Sequence, residues 1–297
     1  MSKNITIAMI GKPNVGKSTL FNAIIGKEIA FSSSKPNTTR RINEYVVKLG
    51  DCNLKLIDTP GIHEPKNEFD IIMNSRAKSV IKTANYIFFL VDGSRTIDDE
   101  DIRTVTILKK FGVEKNVFLL FTKNDISDKK IIENNKSKIF KYISPKFVNT
   151  ISSNNKSSIN SMLQFLTEDV SNNNIGNDEN FIIDVNTEND NYYISEAIRK
   201  YIVLNTSQEI PYSTAVVVED KKYFPDNKLF LINATIFVDK ESQKSILIGS
   251  KGTMIEKVRV FATSELKKIF DCKIELHIYI KLKKDWRNNK QFSKTIY

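Results

Sequence analysis

The stretch that decides the fold is GKPNVGKS, at residues 11–18. It follows the apolar run ITIAMI at 5–10. Its last two residues begin KSTLFNAIIG at 17–26, which has helical spacing. Loops with this spacing of glycine, lysine and serine bind phosphates, because their backbone N–H groups and the start of the next helix face the phosphate oxygens. In such a loop Lys17 reaches the terminal phosphates and Ser18 ligates Mg²⁺. Chance gives the bare motif in roughly one chain of this length in a hundred, so a fortuitous turn carries very little weight.

The first half of the chain alternates apolar strands with helical segments. NYIFFLVD at 85–92 and NVFLLFTKND at 116–125 contain continuous apolar runs, which are typical of strands buried on both faces of a parallel sheet. Between them, DEDIRTVTILKKFG at 99–112 has helical spacing and a glycine stop. This alternation predicts an α/β domain at residues 1–170, with a mostly parallel sheet and helices on both faces.

The periodicity stops at SNNNIGNDEN, residues 171–180, and we expect a linker there because polar residues and glycine replace the apolar pattern. Beyond it the order of elements changes. The sequence predicts a helix at SEAIRKYIVLNT, a hairpin of YSTAVVVED and KLFLINATIFVD, an amphipathic helix at IEKVRVFATSELKKIF and a final strand at KIELHIYIKLKK. This order indicates a small α+β domain at residues 181–297.

Composition narrows the functional classes. The chain has 297 residues, a net charge of +10 and a pI near 9.3. The charge favours a polyanionic partner such as nucleic acid or an acidic membrane surface, but a composition rich in Lys and Asn, as AT-rich coding gives, explains part of it. No apolar run reaches membrane-spanning length and the N-terminus enters a strand pattern at once, so we expect a cytoplasmic protein. Cys52 and Cys272 lie far apart in the sequence and are expected to be reduced thiols.

Two later stretches bear on the nucleotide and its metal. DTPG at 58–61 ends an apolar strand, where Asp58 can hold Mg²⁺ through water and the backbone of Gly61 can meet a γ-phosphate. TKND at 122–125 ends another strand, and the carboxylate of Asp125 can accept from two guanine N–H groups that adenine lacks. Each stretch alone is equally well explained by a turn. Their order, each after a strand, favours a guanine nucleotide and speaks against a P-loop kinase or ATPase.

The chain resembles the Era family of bacterial GTPases over nearly all of its length. The resemblance rests on GKPNVGKSTLFNAIIG, NTTRR, DTPGIHEPK, IPYS, ILIGSKG and DWRNN. The GTPase motifs indicate the superfamily, and the motifs of the second domain indicate the family within it. The resemblance and the motifs together predict that GTP or GDP is bound by Gly11, Lys12, Pro13, Asn14, Val15, Gly16, Lys17, Ser18, Thr19, Asp58, Thr59, Pro60, Gly61, Ile62, Thr122, Lys123, Asn124, Asp125, Ile151, Ser152 and Ser153.

Two positions depart from the family pattern at the base end of the site. Thr122 stands where the family normally has asparagine, and because related GTPases also use threonine there, guanine specificity is expected to survive. The motif that closes over the base ends in Ser152-Ser153 instead of serine and alanine. That loop contributes mostly backbone, so the change is expected to matter little.

The residues for hydrolysis also depart from other switch GTPases. Ile62 stands where many of them have a glutamine that orients the attacking water. We therefore predict slow intrinsic turnover, with the water positioned by backbone, another side chain or a partner. SSSKPNTTRR at 32–41 is expected to form switch I, with either Thr38 or Thr39 on Mg²⁺ and the γ-phosphate. The expected catalytic residues are Lys17, Thr38, Thr39 and Gly61, and the expected metal ligands are Ser18, Thr38, Thr39 and Asp58.

Three nearby side chains are not assigned a catalytic role. His63 is expected to be a solvent-exposed bystander, as a lone loop histidine commonly is. Arg40 and Arg41 are equally well explained as a partner contact and as a solvated charged pair.

The second domain contains a GxxG loop within ILIGSKGTMIEKV. Such a loop clamps the backbone of about four nucleotides in KH domains. GxxG alone is a weak signal, but here it lies between two predicted helices in an order that resembles the type II KH domain. The apolar residues around it would form a groove floor, although the core explains most of them more simply. The expected RNA contacts are Ile248, Gly249, Ser250, Lys251, Gly252, Lys281, Lys283, Lys284, Trp286 and Arg287.

The resemblance also implies partners. It implies binding of 16S rRNA near its 3′ end and a role in assembly of the 30S ribosomal subunit, with the chain acting as a monomer. Some members of the family associate with the inner face of the membrane, which the basic charge would allow. An alternative is an RNA-binding assembly factor with a weak or inactive nucleotide site, which the intact Lys17, Ser18, Asp58 and Asp125 disfavour.

Overall fold

The computed structural model describes residues 3–27, 30–31, 39–153, 155–173, 175 and 190–296. Their contacts form two compact units, one around a six-stranded sheet and one around a three-stranded sheet. Each unit is described by itself below. Within the described residues, no helix combines the length and the apolar character that a bilayer-spanning segment requires.

The first unit consists of alternating strands and helices. Its strands are β1 (Lys3–Ile10), β2 (Asn43–Leu49), β3 (Cys52–Asp58), β4 (Tyr86–Asp92), β5 (Val117–Thr122) and β6 (Phe147–Thr150). Its helices are α1 (Lys17–Ile25), α2 (Glu68–Thr83), α3 (Asp99–Lys110), α4 (Lys129–Ile139) and α5 (Lys156–Asn172). The strand order is β2-β3-β1-β4-β5-β6, and all neighbours are parallel except β2 and β3. The predicted α/β fold is confirmed.

Two apolar layers explain why the central strands are so rich in apolar residues. Every residue of β4 and β5 is buried, because α1 and α5 cover one face of the sheet and α2, α3 and α4 cover the other. The strand order reverses at β1, which pairs with β3 on one side and β4 on the other. Ligands of open α/β sheets bind at the carboxyl end of the strands at such a reversal. The loop GKPNVGKS lies at that position.

The second unit follows the predicted order of helix, two strands, helix, GxxG, helix and strand. Its elements are α6 (Asp190–Asn205), α7 (Ile210–Ser213), β7 (Ala215–Phe224), β8 (Leu229–Val238), α8 (Glu241–Ile248), α9 (Thr253–Phe270), β9 (Lys273–Leu282) and α10 (Lys290–Thr295). β7 and β8 are antiparallel, whereas β8 and β9 are parallel. Val258, Ala262 and Leu266, each one turn apart on α9, pack into the core with α6 and the strands. The predicted α+β fold is confirmed.

Two predicted boundaries differ from the structure. α5 extends through Asn172, so the first two residues of the predicted linker are helical, and residues 174 and 176–180 lie outside the described residues. Tyr212 and Ser213 belong to the short helix α7, which begins with Pro211 in its first turn, and the strand predicted at YSTAVVVED starts only at Ala215. Proline favours a helix start because its fixed φ suits the first turn and its missing N–H has no partner there.

Candidate nucleotide site and RNA clamp

The phosphate-binding loop follows β1 and turns into α1 at Lys17. Gly11 of this loop and Gly61 of DTPG both lie so close to neighbouring backbone that a side chain would not fit. A Cβ atom at Gly11 would lie 2.5 Å from the carbonyl oxygen of Leu90, and one at Gly61 would lie 2.5 Å from the nitrogen of Pro13. Gly16 has a φ of 96°, in the region that favours glycine, and begins the helix. The loop therefore packs directly against DTPG, as a phosphate site formed by both stretches requires.

The Lys17 side chain lies inside the curl of this loop. Its Nζ atom is 3.1 Å from the carbonyl oxygen of Gly11 and 2.7 Å from that of Lys12. Burial lowers the pKa of Lys17 to about 8, while Asp58 opposes this change. A buried cation at the N-terminal end of a helix, next to backbone N–H groups, favours an anionic ligand.

Three predicted metal ligands meet beside Lys17. The Oγ atom of Ser18 donates to Asp58 Oδ2 at 2.7 Å and lies 2.7 Å from Thr39 Oγ1. Thr39 Oγ1 is 3.4 Å from the same carboxylate oxygen. The second oxygen, Asp58 Oδ1, is buried and has no hydrogen-bond partner among the described residues. Thr38 lies outside the described residues.

This donor set fits magnesium. Mg²⁺ prefers oxygen ligands and keeps several waters of its own. Two hydroxyls and one carboxylate with an unsatisfied buried oxygen provide such ligands. Burial raises the pKa of Asp58 to about 6, although Lys17 and hydrogen bonds from Ser18, Asn43 and Thr39 oppose the rise.

The raised pKa of Asp58 makes a prediction about stability. Because the pKa in the folded chain, about 6, exceeds the ordinary value of a carboxyl, about 4, the folded chain binds more protons between these pH values. The free energy of unfolding should therefore fall as pH rises through this window. Asp58→Asn should raise it at pH 7 by on the order of 2 kcal/mol and flatten its pH dependence.

Urea unfolding of the nucleotide-free protein at pH 4 and pH 7 tests this. Asp51→Asn, which neutralises an exposed carboxylate on the β2–β3 turn, is the matched control and should change little. An Asp58→Asn protein that is less stable than the parent at pH 7 would contradict the interpretation. Addition of Mg²⁺ and GDP should stabilise the parent but not the Asp58→Asn variant.

The stretch after Asp58 is buried and tied to the phosphate loop. The hydroxyl of Thr59 donates to the carbonyl oxygen of Met9 at 2.7 Å, and Pro60 is also buried. The backbone N–H of Ile62 donates to the carbonyl oxygen of Gly11 at 3.1 Å, and the Ile62 side chain is in the apolar layer with α2. Ile62 therefore offers no hydrogen bond to a water molecule through its side chain.

Two expectations about neighbouring side chains are wrong. His63 is not solvent-exposed: it is buried, with Nδ1 at 2.9 Å from the carbonyl oxygen of Glu64, and Asn74 donates to its carbonyl oxygen at 2.8 Å. Arg40 is buried as well, so it is neither a solvated charge nor an open partner contact, whereas Arg41 is half-buried. A histidine in a polar stretch gives no sequence signal for burial, because the covering residues come from α2.

TKND and the stretch ISS at 151–153 come together at the carboxyl ends of β5 and β6. The Nζ atom of Lys123 pairs with Asp92 at 2.6 Å. The hydroxyl of Ser152 lies 3.3 Å from Asp125 Oδ1, and the N–H of Asn124 donates to the carbonyl oxygen of Ile151 at 3.4 Å. Ser153 follows on the same loop, partly exposed. The side chain of Asp125 is thus held at an open edge, where it can accept from a ligand.

Thr122 connects the two ends of the site. Its hydroxyl donates to the carbonyl oxygen of Val15 at 2.6 Å, and the Val91 carbonyl oxygen is 3.2 Å away. A short hydroxyl therefore reaches the phosphate loop at the position where the family has a longer amide. With threonine at this position, a hydrogen bond still connects the phosphate loop directly to TKND.

This bond makes a second prediction. Thr122→Val keeps the shape but leaves the buried carbonyl of Val15 without its donor, which costs about 1 to 3 kcal/mol. We expect GDP affinity to fall about tenfold and the melting temperature to drop. Thr122→Ser keeps the hydroxyl and should stay close to the parent in both. Equal behaviour of the two variants in a GDP titration would show that the hydrogen bond is unimportant.

Sequence reasoning missed an ion-pair network next to the phosphate loop. Lys12 pairs with Asp98 at 2.6 Å and with Glu100 at 3.1 Å, and Arg95 pairs with the buried Asp101 at 2.8 Å. Asp98 also caps α3. The acidic start of α3 is visible in the sequence, but its contact with Lys12 depends on how β1 and β4 pair.

The GxxG loop connects α8 to α9 in the second unit. Gly249 and Gly252 have φ values of 74° and 78°, and a Cβ atom at Gly249 would lie 2.8 Å from the backbone nitrogen of Met254. Between them, Ser250 and Lys251 are exposed, and Lys251 itself has a φ of 49°. The glycines are therefore required by the turn itself, and the loop presents a serine and a lysine to solvent.

Four further predicted RNA contacts are exposed or partly exposed. Ile248 is 37% exposed beside the GxxG loop, and Lys281 and Lys284 are exposed. Lys283 lies over the ring of Phe292, with Nζ at 4.6 Å from its centroid. Leu247 and Val258, two of the apolar residues around the loop that were not predicted RNA contacts, are buried core residues.

The expectation that Trp286 contacts RNA is wrong. Its side chain is fully buried, its ring N–H donates to the carbonyl oxygen of Ser213 at 2.8 Å, and its ring packs edge-on against Phe292. It therefore anchors the C-terminal segment and cannot stack on a base. Arg287 pairs with Asp239 at 3.0 Å, which leaves its RNA contact a prediction.

Two known protein families match this chain, one in each unit. The family described as "50S ribosome-binding GTPase" matches residues 6–123, and the KH domain family matches residues 209–287. The fold, the site and these matches define the class: a P-loop GTPase that carries a KH domain.

GTPase Era of Ureaplasma urealyticum is 34% identical over 295 residues, which are 98% of this chain and 96% of that protein. GTPase Era of Caldicellulosiruptor saccharolyticus is 33% identical over 95% of this chain and 93% of that protein. The chain belongs to the Era family of GTPases.

Two solved structures of Era are similar to this chain. Era in complex with MgGDPNP and nucleotides 1506–1542 of 16S ribosomal RNA is 25% identical, with a TM-score of 0.86, 100% of this chain and 99% of that chain covered. Era from Aquifex aeolicus with a tyrosine-to-alanine substitution, bound to GDP and AlF4⁻, is 26% identical, with a TM-score of 0.85 and coverage of 99% and 98%.

Proposed function

We propose that this chain is a switch that binds and hydrolyses GTP, binds 16S rRNA near its 3′ end and assists assembly of the 30S ribosomal subunit. The observation that carries the proposal is the arrangement of Lys17, Ser18, Thr39 and Asp58 at one end of a site that has Asp125 at the other. The Era structure bound to MgGDPNP and a 16S rRNA fragment supports the same ligands for this chain.

The residues of this chain perform separate tasks in hydrolysis. Lys17 places a positive charge against the terminal phosphates, and the loop N–H groups with the start of α1 hold the phosphate oxygens. Gly61, which packs against Pro13, offers a backbone N–H to the γ-phosphate. Ser18, Thr39 and Asp58 would hold Mg²⁺, which when bound neutralises phosphate charge.

GTP hydrolysis by the chain without a partner is expected to be slow. The Ile62 side chain is buried and apolar, so it cannot orient water as a glutamine does in other switch GTPases. The rate then depends on groups supplied by backbone or by a partner. The second unit is proposed to bind small-subunit RNA through its GxxG loop, which presents Ser250 and Lys251 to solvent.

The alternative is an RNA-binding assembly factor with a weak or inactive nucleotide site. The contacts of Lys17 and Ser18 and the unsatisfied oxygen of Asp58 favour an active site over a degenerate one. Measurement of GTP hydrolysis by the purified protein, with and without RNA, separates the two functions. No turnover in either condition would favour the alternative.

Asp125 provides the test of nucleotide choice. Asp125→Asn replaces an acceptor for the guanine N–H groups with a donor, so GTP affinity should fall about tenfold to a hundredfold and xanthosine triphosphate should bind better. Asp128→Asn, at the exposed cap of α4, is the matched control. Competition titrations with GTP, ATP and xanthosine triphosphate measure this. Equal binding of ATP and GTP by the parent would contradict the assignment.

Further parts of the proposal concern organisation and location. The proposed domains are residues 1–170 for GTP hydrolysis, 171–180 as a linker and 181–297 for RNA binding. The chain is proposed to act as a cytoplasmic monomer that also associates peripherally with the inner membrane. Light scattering tests the monomer, and flotation with anionic vesicles tests the membrane association.

A further inference from the structure

The ends of three helices bring lysines together at the amino-terminal edge of the six-stranded sheet. α2, α3 and α4 pack on one face of this sheet, and each leads into one of the adjacent parallel strands β4, β5 and β6. Each helix therefore ends near the amino end of the strand that follows it. We name the residues at these ends the lysine edge: Lys82, Lys109, Lys110, Lys115, Lys138 and Lys141.

Contacts within the unit place these ends side by side. The Nζ atom of Lys82, in the last turn of α2, lies 5.2 Å from the centroid of Phe111, which ends α3. The N–H of Lys146, in the loop before β6, donates to the carbonyl oxygen of Val117 at the start of β5 at 2.8 Å. The lysine edge is therefore one continuous surface and not three separate helix ends.

The charge of this surface is not neutralised by the protein. Residues 82–85, 108–116 and 138–146 contain seven lysines and one acidic residue, Glu114. Lys146 pairs with Asp169 at 2.7 Å, but the six residues of the lysine edge form no ion pair in the part of the chain that the structure describes. Lys12 and Lys123, at the carboxyl end of the strands, are in contrast paired. Unpaired like charges repel each other, so the surface favours a polyanionic ligand.

Helix dipoles explain only part of this pattern. Lysines in the last turn of a helix offset its negative end, which accounts for Lys82, Lys109, Lys110 and Lys138. Lys115 and Lys141 lie outside the α-helices and gain nothing of this kind. Helix dipoles therefore do not explain these two lysines.

Exposed aromatic rings lie beside these lysines. Phe140 and Tyr142 flank Lys141 and are 45% and 38% exposed. Aromatic rings among lysines suit nucleic acid, because bases stack on the rings while lysines contact phosphates. Ile139 and Ile143, the adjacent apolar residues, are buried, so no broad apolar face is open for insertion into a bilayer.

We infer that the lysine edge is a second RNA-binding surface, which contacts the phosphodiester backbone of an RNA longer than the segment held by the GxxG loop. This inference rests on the proposed function, since the second unit supplies the first contact. Three helices packed side by side at about 10 Å span about 20 Å, which corresponds to on the order of six phosphates along one strand.

The experiment compares two triple variants of the full chain. The test variant carries Lys110→Gln, Lys115→Gln and Lys141→Gln. The control variant carries Lys129→Gln, Lys130→Gln and Lys156→Gln, which are exposed lysines in the first turns of α4 and α5. Both variants lose three charges. GTP binding by both verifies that the first unit is folded.

Two labelled RNAs are titrated over a range of salt concentrations. The short RNA is a single strand of about ten nucleotides with the 3′-terminal 16S sequence, and the long RNA joins this strand to a duplex of about twelve base pairs. The test variant should bind the long RNA about tenfold to a hundredfold more weakly at about 0.1 M salt and bind the short RNA like the parent. Its slope of log affinity against log salt should fall by about two units for the long RNA only.

The outcomes distinguish the inference from the proposed function. Unchanged affinity of the test variant for the long RNA overturns the inference alone, as does an equal loss in the control variant. A test variant that loses binding to phosphatidylglycerol vesicles, but not to the long RNA, also overturns it in favour of a membrane surface. Failure of the parent to bind either RNA overturns both the inference and the proposed RNA-binding function.

Discussion

Replacement of Lys17 with alanine is expected to slow GTP hydrolysis by a hundredfold to a thousandfold, the loss typical of one group that stabilises transition-state charge. The Nζ atom lies 2.7 Å and 3.1 Å from two carbonyl oxygens of the phosphate loop, so it is already aimed into the curl that receives the phosphates. Nucleotide phosphates would replace these weaker partners. Single-turnover hydrolysis at saturating GTP measures the chemical step apart from binding.

Lys12→Ala is the matched control for this experiment. Lys12 belongs to the same loop and carries the same charge, but its ammonium group pairs with Asp98 and Glu100. It is therefore neutralised outside the site, and its loss should slow hydrolysis by less than about tenfold. Ile62→Val, a conservative change in the apolar layer, should likewise leave the rate near that of the parent. An equal loss of rate in Lys17→Ala and Lys12→Ala would show that net charge, and not the position of Lys17, determines turnover.

A double substitution in the RNA clamp, Ser250→Asp with Lys251→Asp, should reduce RNA affinity by on the order of a hundredfold or more. It removes one positive charge and places two carboxylates where the loop meets phosphates, and like charges in contact cost several kcal/mol. The fold should survive, because Lys251 has a φ of 49° and aspartate is among the residues that tolerate this region. Gly249 is unsuitable for this test, since any side chain there meets the backbone of Met254.

The matched control for the clamp is Ser250→Asn with Lys251→Asn, which keeps the backbone preference without adding negative charge. It should lose about one phosphate contact, which flattens the slope of log affinity against log salt by about 0.7 for single-stranded RNA. Titrations with labelled RNA and labelled GTP on each variant are the measurement. GTP affinity should persist in both. RNA affinity unchanged by the double aspartate would reduce the GxxG loop to a turn.

The sequence predicts the elements whose partners lie next to them along the chain. The phosphate loop, β4, β5 and the GxxG turn each carry a local signal: glycine spacing or a continuous apolar run. α4 is harder to predict, because its buried face consists of Ile132, Asn135 and Ile139 and the rest is polar. The buried amide of Asn135 bonds to backbone of the loop before α3, a contact that no local pattern contains.

The errors at single side chains have the same cause. Trp286 follows a basic run and resembles a stacking residue, yet its ring N–H bonds to Ser213, which is 73 residues earlier in the sequence, and its ring packs against Phe292 of the following helix. His63 is similarly covered by residues of α2. Motif spacing predicts which backbone turns form, whereas exposure of a side chain depends on how separate elements pack.

Two charged groups, Asp58 and Lys17, are buried at the phosphate loop. Burial shifts the pKa of Asp58 to about 6 and that of Lys17 to about 8, so at neutral pH both charged groups are less stable here than in water. Magnesium and phosphate would neutralise them, and a ligand at a hundred times its Kd adds about 2.7 kcal/mol to folding. Nucleotide binding is thus expected to stabilise the fold as well as to set the switch. The chain without bound nucleotide is therefore expected to unfold more readily than the chain that holds GTP or GDP.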